Sequence, residues 1–159
     1  MKNKQFILAQ KIVSLLKQKK MKLCVAESCS GGWIAKTITD VPGCSEIFAG
    51  GIIAYSNDIK CRLLGVSMNT LDSFGAVSEQ TAIEMAKNAA ALFKTDFALA
   101  STGIAGPKGG TSDKPVGTVW LAVATPLKTI TEKNIFLGDR EEIREQTITR
   151  ALELLINKL

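Results

Sequence analysis

A turn rich in serine and glycine, Glu27-Ser28-Cys29-Ser30-Gly31-Gly32, carries the first groups that could do chemistry. It joins a short apolar segment to a predicted helix, so its backbone N–H groups would lie at the start of that helix. Such groups favour an anion or a developing oxyanion. Ser28 is a candidate nucleophile, and Ser30 is a candidate ligand hydroxyl or helix cap. The spacing equally allows a structural turn, in which a serine caps the helix and the glycines permit tight packing.

The chain of 159 residues contains no histidine, which excludes several kinds of active site. A Ser-His-Asp or Cys-His mechanism, an imidazole base and a zinc site with histidine ligands are all ruled out. A serine nucleophile would then need another base, and a desolvated lysine can serve. Lys60 is a candidate, because the segment 55–60 places it in the first turn of a helix capped by Ser56 or Asn57, where the helix dipole disfavours an ammonium. On this evidence alone, Lys60 is better interpreted as a solvated surface lysine than as a catalytic base.

A third segment, 102–110, follows a predicted strand and has four glycines in the eight residues from Gly103 to Gly110. Its backbone amides could shape a pocket. It is not a P-loop, because the Gly-Lys-Ser/Thr ending is missing, and it does not match G-x-G-x-x-G. A loop without a catalytic role is the alternative, although the length of the segment favours function.

Two arginines, Arg140 and Arg144, lie one helical turn apart at the start of the last predicted helix. They would share one face of that helix and could bind a phosphate. However, Glu141, Glu142 and Glu145 are near enough to pair with both arginines in ordinary surface ion pairs. The ion-pair interpretation is slightly favoured.

Apolar segments with strand and helix periods alternate along the chain, which predicts an α/β fold. We expect a single domain over 1–159, with three α/β/α layers and a mixed, mostly parallel sheet whose last two strands form an antiparallel hairpin. Each chemistry-bearing segment follows a strand, and ligands of open α/β sheets bind beyond the carboxyl ends of strands. The predicted strands span 22–26, 47–55, 96–100, 116–125 and 128–136; the predicted helices span 4–20, 33–39, 57–64, 79–94 and 140–158, with a short turn or helix at 67–73.

The charge balance, 20 Lys and Arg against 15 Asp and Glu, gives a net charge of +5. Sixteen of these cations are lysines scattered along the chain, and aromatic residues make up only 6%. A nucleic-acid-binding protein more often clusters arginines among aromatics, so the charge favours a small anionic ligand and no nucleic-acid partner.

The four cysteines, Cys24, Cys29, Cys44 and Cys61, have no C-x-x-C spacing and make a poor metal set without histidine. They are typical of free thiols in a reducing compartment. The N-terminal segment has a helical period and no continuous apolar core, so it does not resemble a signal peptide. No stretch approaches the roughly 20 apolar residues of a membrane span. We therefore expect a cytoplasmic protein with no membrane partner.

Six blocks of the chain together resemble the CinA C-terminal-domain family, often labelled competence/damage-inducible protein CinA. They occur in the family's order and extend over essentially the whole chain. One departure is Ser30, where the family commonly has threonine; both supply a hydroxyl. The blocks are AESCSGG at 26–32, G-x-x-x-Y-S-N-x-x-K at 51–60, GAVSE at 75–79, STGIAGPKGG at 101–110, KPVGTVW at 114–120 and GDR at 138–140.

The resemblance implies a nicotinamide-nucleotide amidase, which hydrolyses the carboxamide of nicotinamide mononucleotide to nicotinate mononucleotide and ammonia in pyridine nucleotide (NAD) recycling. Ser28 then matches the family's nucleophile, Lys60 its lysine partner and Tyr55 its tyrosine, which would position Ser28 or Lys60 or stack on the pyridinium. The resemblance also implies an anionic nucleotide substrate, a homodimer, and neither a metal nor another cofactor. The expected substrate contacts are Glu27, Ser30, Gly31, Gly32, Asn57, Thr102, Gly103, Ala105, Gly106 and Arg140.

Within that set, Arg140, Ser30 and Thr102 are expected at the ribose and phosphate, and the amides of 30–32 or 103–106 at the oxyanion. A second hypothesis is a module that binds a nucleotide without turnover and acts in competence or DNA damage through a partner. Direct DNA binding is the weakest alternative. Longer family members carry an N-terminal domain associated with ADP-ribose pyrophosphatase activity, which is not expected of these residues.

Overall fold

The computed structural model describes residues 2–159, which form five strands, six α-helices and one short 3₁₀ helix. Every predicted strand and helix is found, with ends that differ by a few residues from those expected. The strands are β1 (Leu23–Glu27), β2 (Phe48–Ile53), β3 (Phe97–Gly103), β4 (Thr118–Ala124) and β5 (Thr129–Ile135); the helices are α1 (Lys2–Lys19), α2 (Trp33–Thr39), α3 (Asn57–Leu64), α4 (Met68–Phe74), α5 (Glu79–Phe93) and α6 (Arg140–Ile156), and the 3₁₀ helix is Cys44–Glu46.

The five strands form one mixed sheet in the order β2-β1-β3-β4-β5. β1 pairs in parallel with β2 and β3, whereas β4 is antiparallel to both β3 and β5. Four of the five strands therefore point in one direction, which confirms the mixed, mostly parallel sheet and the closing hairpin.

The two faces of the sheet are covered by different helices because side chains alternate along each buried strand. On one face, Leu23, Val25 and Leu99 pack with leucine, isoleucine and valine side chains of α1, α2 and α6. On the other face, the strands present alanines, among them Ala26, Ala98 and Ala100, and these small residues let α5 pack closely. The result is the expected three-layer arrangement.

The helix ends follow the capping residues in the sequence. Ser78 accepts a hydrogen bond from the N–H of Thr81 at the start of α5, and Asp139 forms a capping box with Glu142 at the start of α6. One boundary differs from the expectation in a way that matters for the site. β3 continues through Gly103, because its last residues pair with β4, so Thr102 belongs to the sheet and not to a loop.

Four connecting segments meet at one edge of the sheet. The segments after β1, β2, β3 and β5 all leave the carboxyl ends of strands that point the same way. This edge is where an open α/β sheet binds ligands, and it collects the chemistry-bearing segments of the sequence.

Candidate active site

Ser28 lies in the turn directly after β1 and is 8% exposed. Its N–H donates to the carbonyl of Ser101 on β3, with an N···O distance of 2.9 Å, which ties the turn to the neighbouring strand. The Nζ atom of Lys60 donates to Ser28 Oγ at 3.0 Å. The structure therefore brings together the serine and the lysine that the sequence singled out.

Lys60 is buried, with only 2% of its surface exposed, and is not a surface lysine. It lies on α3, whose cap is Ser56 and not Asn57, and its Nζ atom also donates to the carbonyl of Ala54 at 2.9 Å. Among the described residues no carboxylate pairs with it. Burial therefore lowers the pKa of Lys60, since desolvation disfavours the ammonium, and the nearby Cys29 and Cys61 oppose the shift only in part.

Cys29, next to the serine, does not compete with it as a nucleophile. Burial raises the pKa of the Cys29 thiol to about 12, so it stays a neutral thiol near neutral pH. The environment that favours a neutral amine at Lys60 thus also keeps this thiol unreactive.

Glu27, an expected substrate contact, is instead fully buried and bonded within the protein. Its carboxylate accepts hydrogen bonds from the N–H groups of Gly32, Ile34 and Ala35, at 3.0, 3.1 and 2.8 Å. The residue that precedes α2, Gly32, has a positive φ of 90° and no side chain to cap the helix. Glu27 supplies that cap from the end of β1, so the start of α2 is already occupied.

The hydroxyls of Ser30 and Thr102, expected at the ribose and phosphate, also have partners inside the protein. Ser30 Oγ lies 2.6 Å from Ser101 Oγ, and Thr102 Oγ1 donates to the carbonyl of Ala76 at 2.6 Å. Both residues are essentially unexposed. These contacts fasten the turn after β1 and the end of β3 to their neighbours, and each hydroxyl already has a partner inside the protein.

Tyr55 and Arg140 form a second polar contact at the same edge. Arg140 donates to the hydroxyl of Tyr55 at 2.7 Å and to the carbonyl of Gly106 at 2.7 Å. The tyrosine is 58% exposed, and its hydroxyl bonds to Arg140 and not to Ser28 or Lys60. Tyr55 directly follows Ala54, whose carbonyl binds Lys60, so the contacts of Arg140 and Lys60 fall on neighbouring residues of one segment.

A cavity of about 680 Å³ opens beside this contact. Arg140 and Arg144 both line it, and neither forms the ion pairs with Glu141, Glu142 or Glu145 that the sequence favoured. Ser28 and Lys60 are not among its lining residues, so the cavity does not enclose the reactive pair. The lining residues are Trp33, Ala105, Pro107, Val116, Gly138, Asp139, Arg140, Glu141 and Arg144.

The remaining expected contacts lie at the same edge in different settings. Asn57 is exposed at the first position of α3. Gly31 backs onto Arg144, since a Cβ atom there would lie 3.2 Å from a guanidinium nitrogen. Gly103 ends β3, where a Cβ atom would lie 2.7 Å from the carbonyl oxygen of Thr118. Ala105 lines the cavity, and Gly106 presents its carbonyl to Arg140.

Several backbone N–H groups expected at an oxyanion are already used. The amide of Gly31 donates to the carbonyl of Ser28, and that of Gly32 donates to Glu27. In contrast, the amides of Cys29, Ser30, Ala105 and Gly106 donate to no oxygen atom of the described residues.

Comparisons with known proteins identify the family of this chain. The family model described as CinA C-terminal domain matches residues 5–159. The chain belongs to this family. Among solved structures, the competence/damage inducible protein CihA from Agrobacterium tumefaciens is 40% identical, with a TM-score of 0.95 over 97% of this chain and 94% of that one.

Relatives of the CinA C-terminal domain carry two kinds of name. The nicotinamide-nucleotide amidohydrolase PncC of Escherichia coli K12 is 44% identical over 149 residues, which is 93% of this chain and 90% of that protein. The CinA-like protein of Endomicrobium trichonymphae is 48% identical over 145 residues, 91% of this chain but 34% of that protein. The chain also spans only about a third of the length of the first curated relatives that it matches, which are named for competence-damage induction.

Three residues of the site in this CinA C-terminal domain were not assigned their roles from the sequence. Ser101 supports the turn through both its carbonyl and its hydroxyl, and its place in the block at 101–110 is the only sign of it. The carbonyl of Ala54 orients Lys60, and no side chain marks it. Arg144 lines the cavity, and its spacing from Arg140 was the available signal.

Metal-ligand groups and membrane-spanning helices were also sought in the described residues of this CinA C-terminal domain. Within residues 2–159, no group of three or more Cys, Asp or Glu side chains is placed to hold a metal ion. No described helix is both long and apolar enough to cross a membrane.

Proposed function

We propose that this chain is a nicotinamide-nucleotide amidase that hydrolyses the carboxamide of nicotinamide mononucleotide to nicotinate mononucleotide and ammonia. The observation that carries the proposal is the 3.0 Å contact between Lys60 Nζ and Ser28 Oγ, made by a buried lysine that has no carboxylate partner among the described residues. The name of the Escherichia coli relative supports the substrate, since that protein matches nearly end to end.

In the first step, Ser28 Oγ attacks the carboxamide carbon while the neutral amine of Lys60 accepts the serine proton. The lowered pKa of Lys60 makes the neutral amine available, and the carbonyl of Ala54 holds Nζ beside the hydroxyl. The new C–O bond produces a tetrahedral intermediate with a negative oxygen. The amides of Cys29 and Ser30, which lie close to the Cys29 sulfur and donate to no oxygen atom of the described residues, are the oxyanion donors, because the N–H after a nucleophile commonly fills this role.

In the second step, the intermediate collapses and the C–N bond breaks. The Lys60 ammonium gives its proton to the departing nitrogen, which leaves as ammonia, and an ester remains on Ser28. Water then attacks the ester, and Lys60 takes a proton from this water and returns one to Ser28 Oγ. The products are nicotinate mononucleotide and free enzyme, so no cofactor or metal enters the balance.

Tyr55 and Arg140 act around this chemistry. The exposed ring of Tyr55 offers a face to the pyridinium, whose positive charge suits an aromatic surface. Arg140 donates to the Tyr55 hydroxyl and lines the cavity, and these two contacts support a role for it at the ribose phosphate. Glu27, Ser30 and Thr102 then act by positioning the turn and the strand end rather than by touching substrate.

We further propose that the enzyme works in pyridine nucleotide recycling in the cytoplasm, as a homodimer and without a nucleic-acid partner. The second candidate function is a module that binds the nucleotide without hydrolysing it. It is favoured by the relatives named for competence-damage induction, of which this chain spans about a third.

Ammonia release from nicotinamide mononucleotide tests the proposal, with nicotinate mononucleotide measured in the same samples. Wild type and a Ser112→Ala control, changed at an exposed loop serine, should release both products. Ser28→Ala should lower the rate by at least about 1,000-fold, because a lost nucleophile removes several orders of magnitude. Wild-type turnover by Ser28→Ala would refute the serine mechanism, and binding without release by wild type would establish the module.

A further inference from the structure

A continuous concave surface lies at the edge of the sheet opposite the reactive pair, and we call it the basic edge. The amino ends of β1 and β3 meet there with the hairpin between β4 and β5, because β4 runs antiparallel to β3. Three cavities of about 550, 470 and 320 Å³ lie along this edge. The first shares residues 125–128 with the second and Met21 with the third, so the three form one surface.

Lysines dominate the charge of the basic edge. Seven lysines line its cavities, and Glu46 is the only acidic side chain among the described lining residues. Even when the terminal carboxylate of Leu159 is counted, this excess of cations is as large as the net charge of +5 of the whole chain. The seven are Lys17, Lys19, Lys20, Lys22, Lys87, Lys128 and Lys158.

Neither ion pairs nor helix ends account for this concentration of charge. Glu46 pairs with Lys17 at 2.8 Å, and the other six lysines have no carboxylate partner among the described residues. A lysine in the last turn of a helix is stabilised by the helix dipole, as Lys17 and Lys19 are in α1. In contrast, Lys22 precedes β1 and Lys128 lies in the hairpin.

The largest cavity of the basic edge is a mainly apolar groove. Phe97 is buried in it, Met21 and Ile130 are half-buried, and the exposed side chains of three lysines also line it. Leu127, in the hairpin, is 95% exposed, more than any other large apolar side chain of the described residues. Such a groove complements a ligand in which apolar groups are flanked by acidic ones.

Two other anionic partners fit this surface less well. Nucleic-acid-binding surfaces commonly offer arginines and exposed aromatic rings, but no arginine lines the described basic edge, and Phe97, its one aromatic residue, is buried. A lipid bilayer is planar, so it would reach Leu127 but not Phe97 inside the groove. An amphipathic protein segment can insert apolar side chains into a groove while its carboxylates pair with lysines around it.

We propose that the basic edge is a docking surface for an acidic amphipathic segment of a partner protein. Apolar side chains of the segment lie in the groove beside Leu127, and its carboxylates pair with Lys19, Lys128 and Lys158. The inference goes beyond the proposed function and does not depend on it, because Ser28 follows the opposite end of β1. A docked partner therefore leaves the reactive edge open.

A synthetic peptide tests the docking surface. The probe is a fluorescein-labelled peptide of about 18 residues with leucines on one helical face and glutamates on the other. The reference peptide has the same composition in a scrambled order, so that its leucines share no face. In anisotropy titrations, wild type should bind the amphipathic peptide at least roughly 10-fold more tightly, because only this peptide can fill the groove and pair with the lysines at once.

Two variants separate the charge of the surface from its apolar groove. Lys19→Glu, Lys128→Glu and Lys158→Glu in one chain should weaken binding of the amphipathic peptide by at least about 100-fold, because like charges then face each other. Leu127→Ser should weaken it by roughly 10-fold, because an apolar contact is lost.

Matched controls lie outside the basic edge. Lys11→Glu, Lys108→Glu and Lys133→Glu in one chain change the net charge by the same amount at exposed positions, and should weaken binding by no more than about 3-fold. Leu137→Ser, at a side chain that is 81% exposed, should keep the wild-type affinity. Equal losses in the two triple variants, or equal binding of the two peptides, would overturn the proposal, because attraction would then depend on net charge alone.

Duplex DNA and phosphatidylglycerol vesicles are titrated at the same salt concentration to distinguish the partners. Tighter binding of either one than of the peptide by wild type, lost in the variant changed at Lys19, Lys128 and Lys158, would assign the surface to a nucleic acid or a membrane and refute the docking of a protein segment. Failure of wild type to bind the amphipathic peptide would refute it as well. Circular dichroism spectra of each variant establish that it is folded.

Discussion

The turn after β1 and the cavity wall at the start of α6 lie at the same edge of the sheet but treat their polar side chains in opposite ways. In the turn, Glu27 and Ser30 find partners inside the protein. On the cavity wall, Arg140 and Arg144 lack a carboxylate partner among the described residues. We therefore expect Glu27 and Ser30 to position the turn, whereas Arg140 and Arg144, whose charges are not neutralised by a carboxylate of the described residues, remain available to an anionic ligand.

Lys60 combines features of both regions. It is buried, as Glu27 and Ser30 are, but it has no carboxylate partner among the described residues, as is true of Arg140 and Arg144. The fold gives its Nζ atom two oxygen partners, and one of these is the reactive hydroxyl. Its burial opposes folding in the protonated form, and this is the condition that a lysine base requires.

Among single substitutions that separate these two kinds of residue, Lys60→Met is expected to have the largest effect on activity. Activity should fall by about 100- to 10,000-fold, because the general base is lost. The melting temperature at neutral pH should rise, because methionine fills a similar volume without a group that burial disfavours. Ammonia release and thermal unfolding measure the two effects.

Lys36→Met is the matched control for this substitution, since the Lys36 side chain is 66% exposed and pairs with Asp40. It should change neither quantity appreciably. A fall in the melting temperature of Lys60→Met would mean that Lys60 stabilises the folded protein. It would contradict the view that burial of this lysine opposes folding.

A smaller effect, mainly on stability, is expected from Glu27→Gln. The amide group keeps one acceptor oxygen but turns a donor toward helix N–H groups that are themselves donors, so stability should fall by roughly 2 kcal/mol. Urea-induced unfolding measures this loss. Activity should fall as well, because the turn that holds Ser28 is fastened by these bonds.

Glu46→Gln serves as the control, because the Glu46 side chain is 66% exposed and pairs with Lys17 at the surface. Its effect should stay within about 0.5 kcal/mol. If Glu27→Gln is no more destabilising than Glu46→Gln, the buried carboxylate does not fasten the turn.

The fold was predictable because its signals are local. Continuous apolar runs mark β3 and β4, and Ser78 and Asp139 mark the starts of α5 and α6. The end of β3 was misjudged since pairing with β4, a contact between distant segments, carries the strand through Gly103.

The candidate site was predictable only in part, because residue type does not reveal which partner the fold supplies. Ser28 and Lys60 were identified by the need for a base other than histidine and by resemblance to the family. Nothing local indicates that Glu27 would turn back to cap α2, or that Arg144 would stack on Trp33 and not pair with a glutamate. Such assignments depend on the packing of β1, α2 and α6 at one edge.

The pH dependence of kcat/KM for ammonia release tests most directly whether Lys60 is the base. A base must be neutral to act, so activity should rise with pH along a limb whose midpoint lies below 10.5, the ordinary pKa of lysine, because burial lowers the pKa of Lys60. Lys60→Arg should abolish the limb together with most of the activity, since a guanidinium does not deprotonate in this range. Full activity of Lys60→Arg with the wild-type pH profile would contradict a lysine base and leave Lys60 a purely electrostatic role.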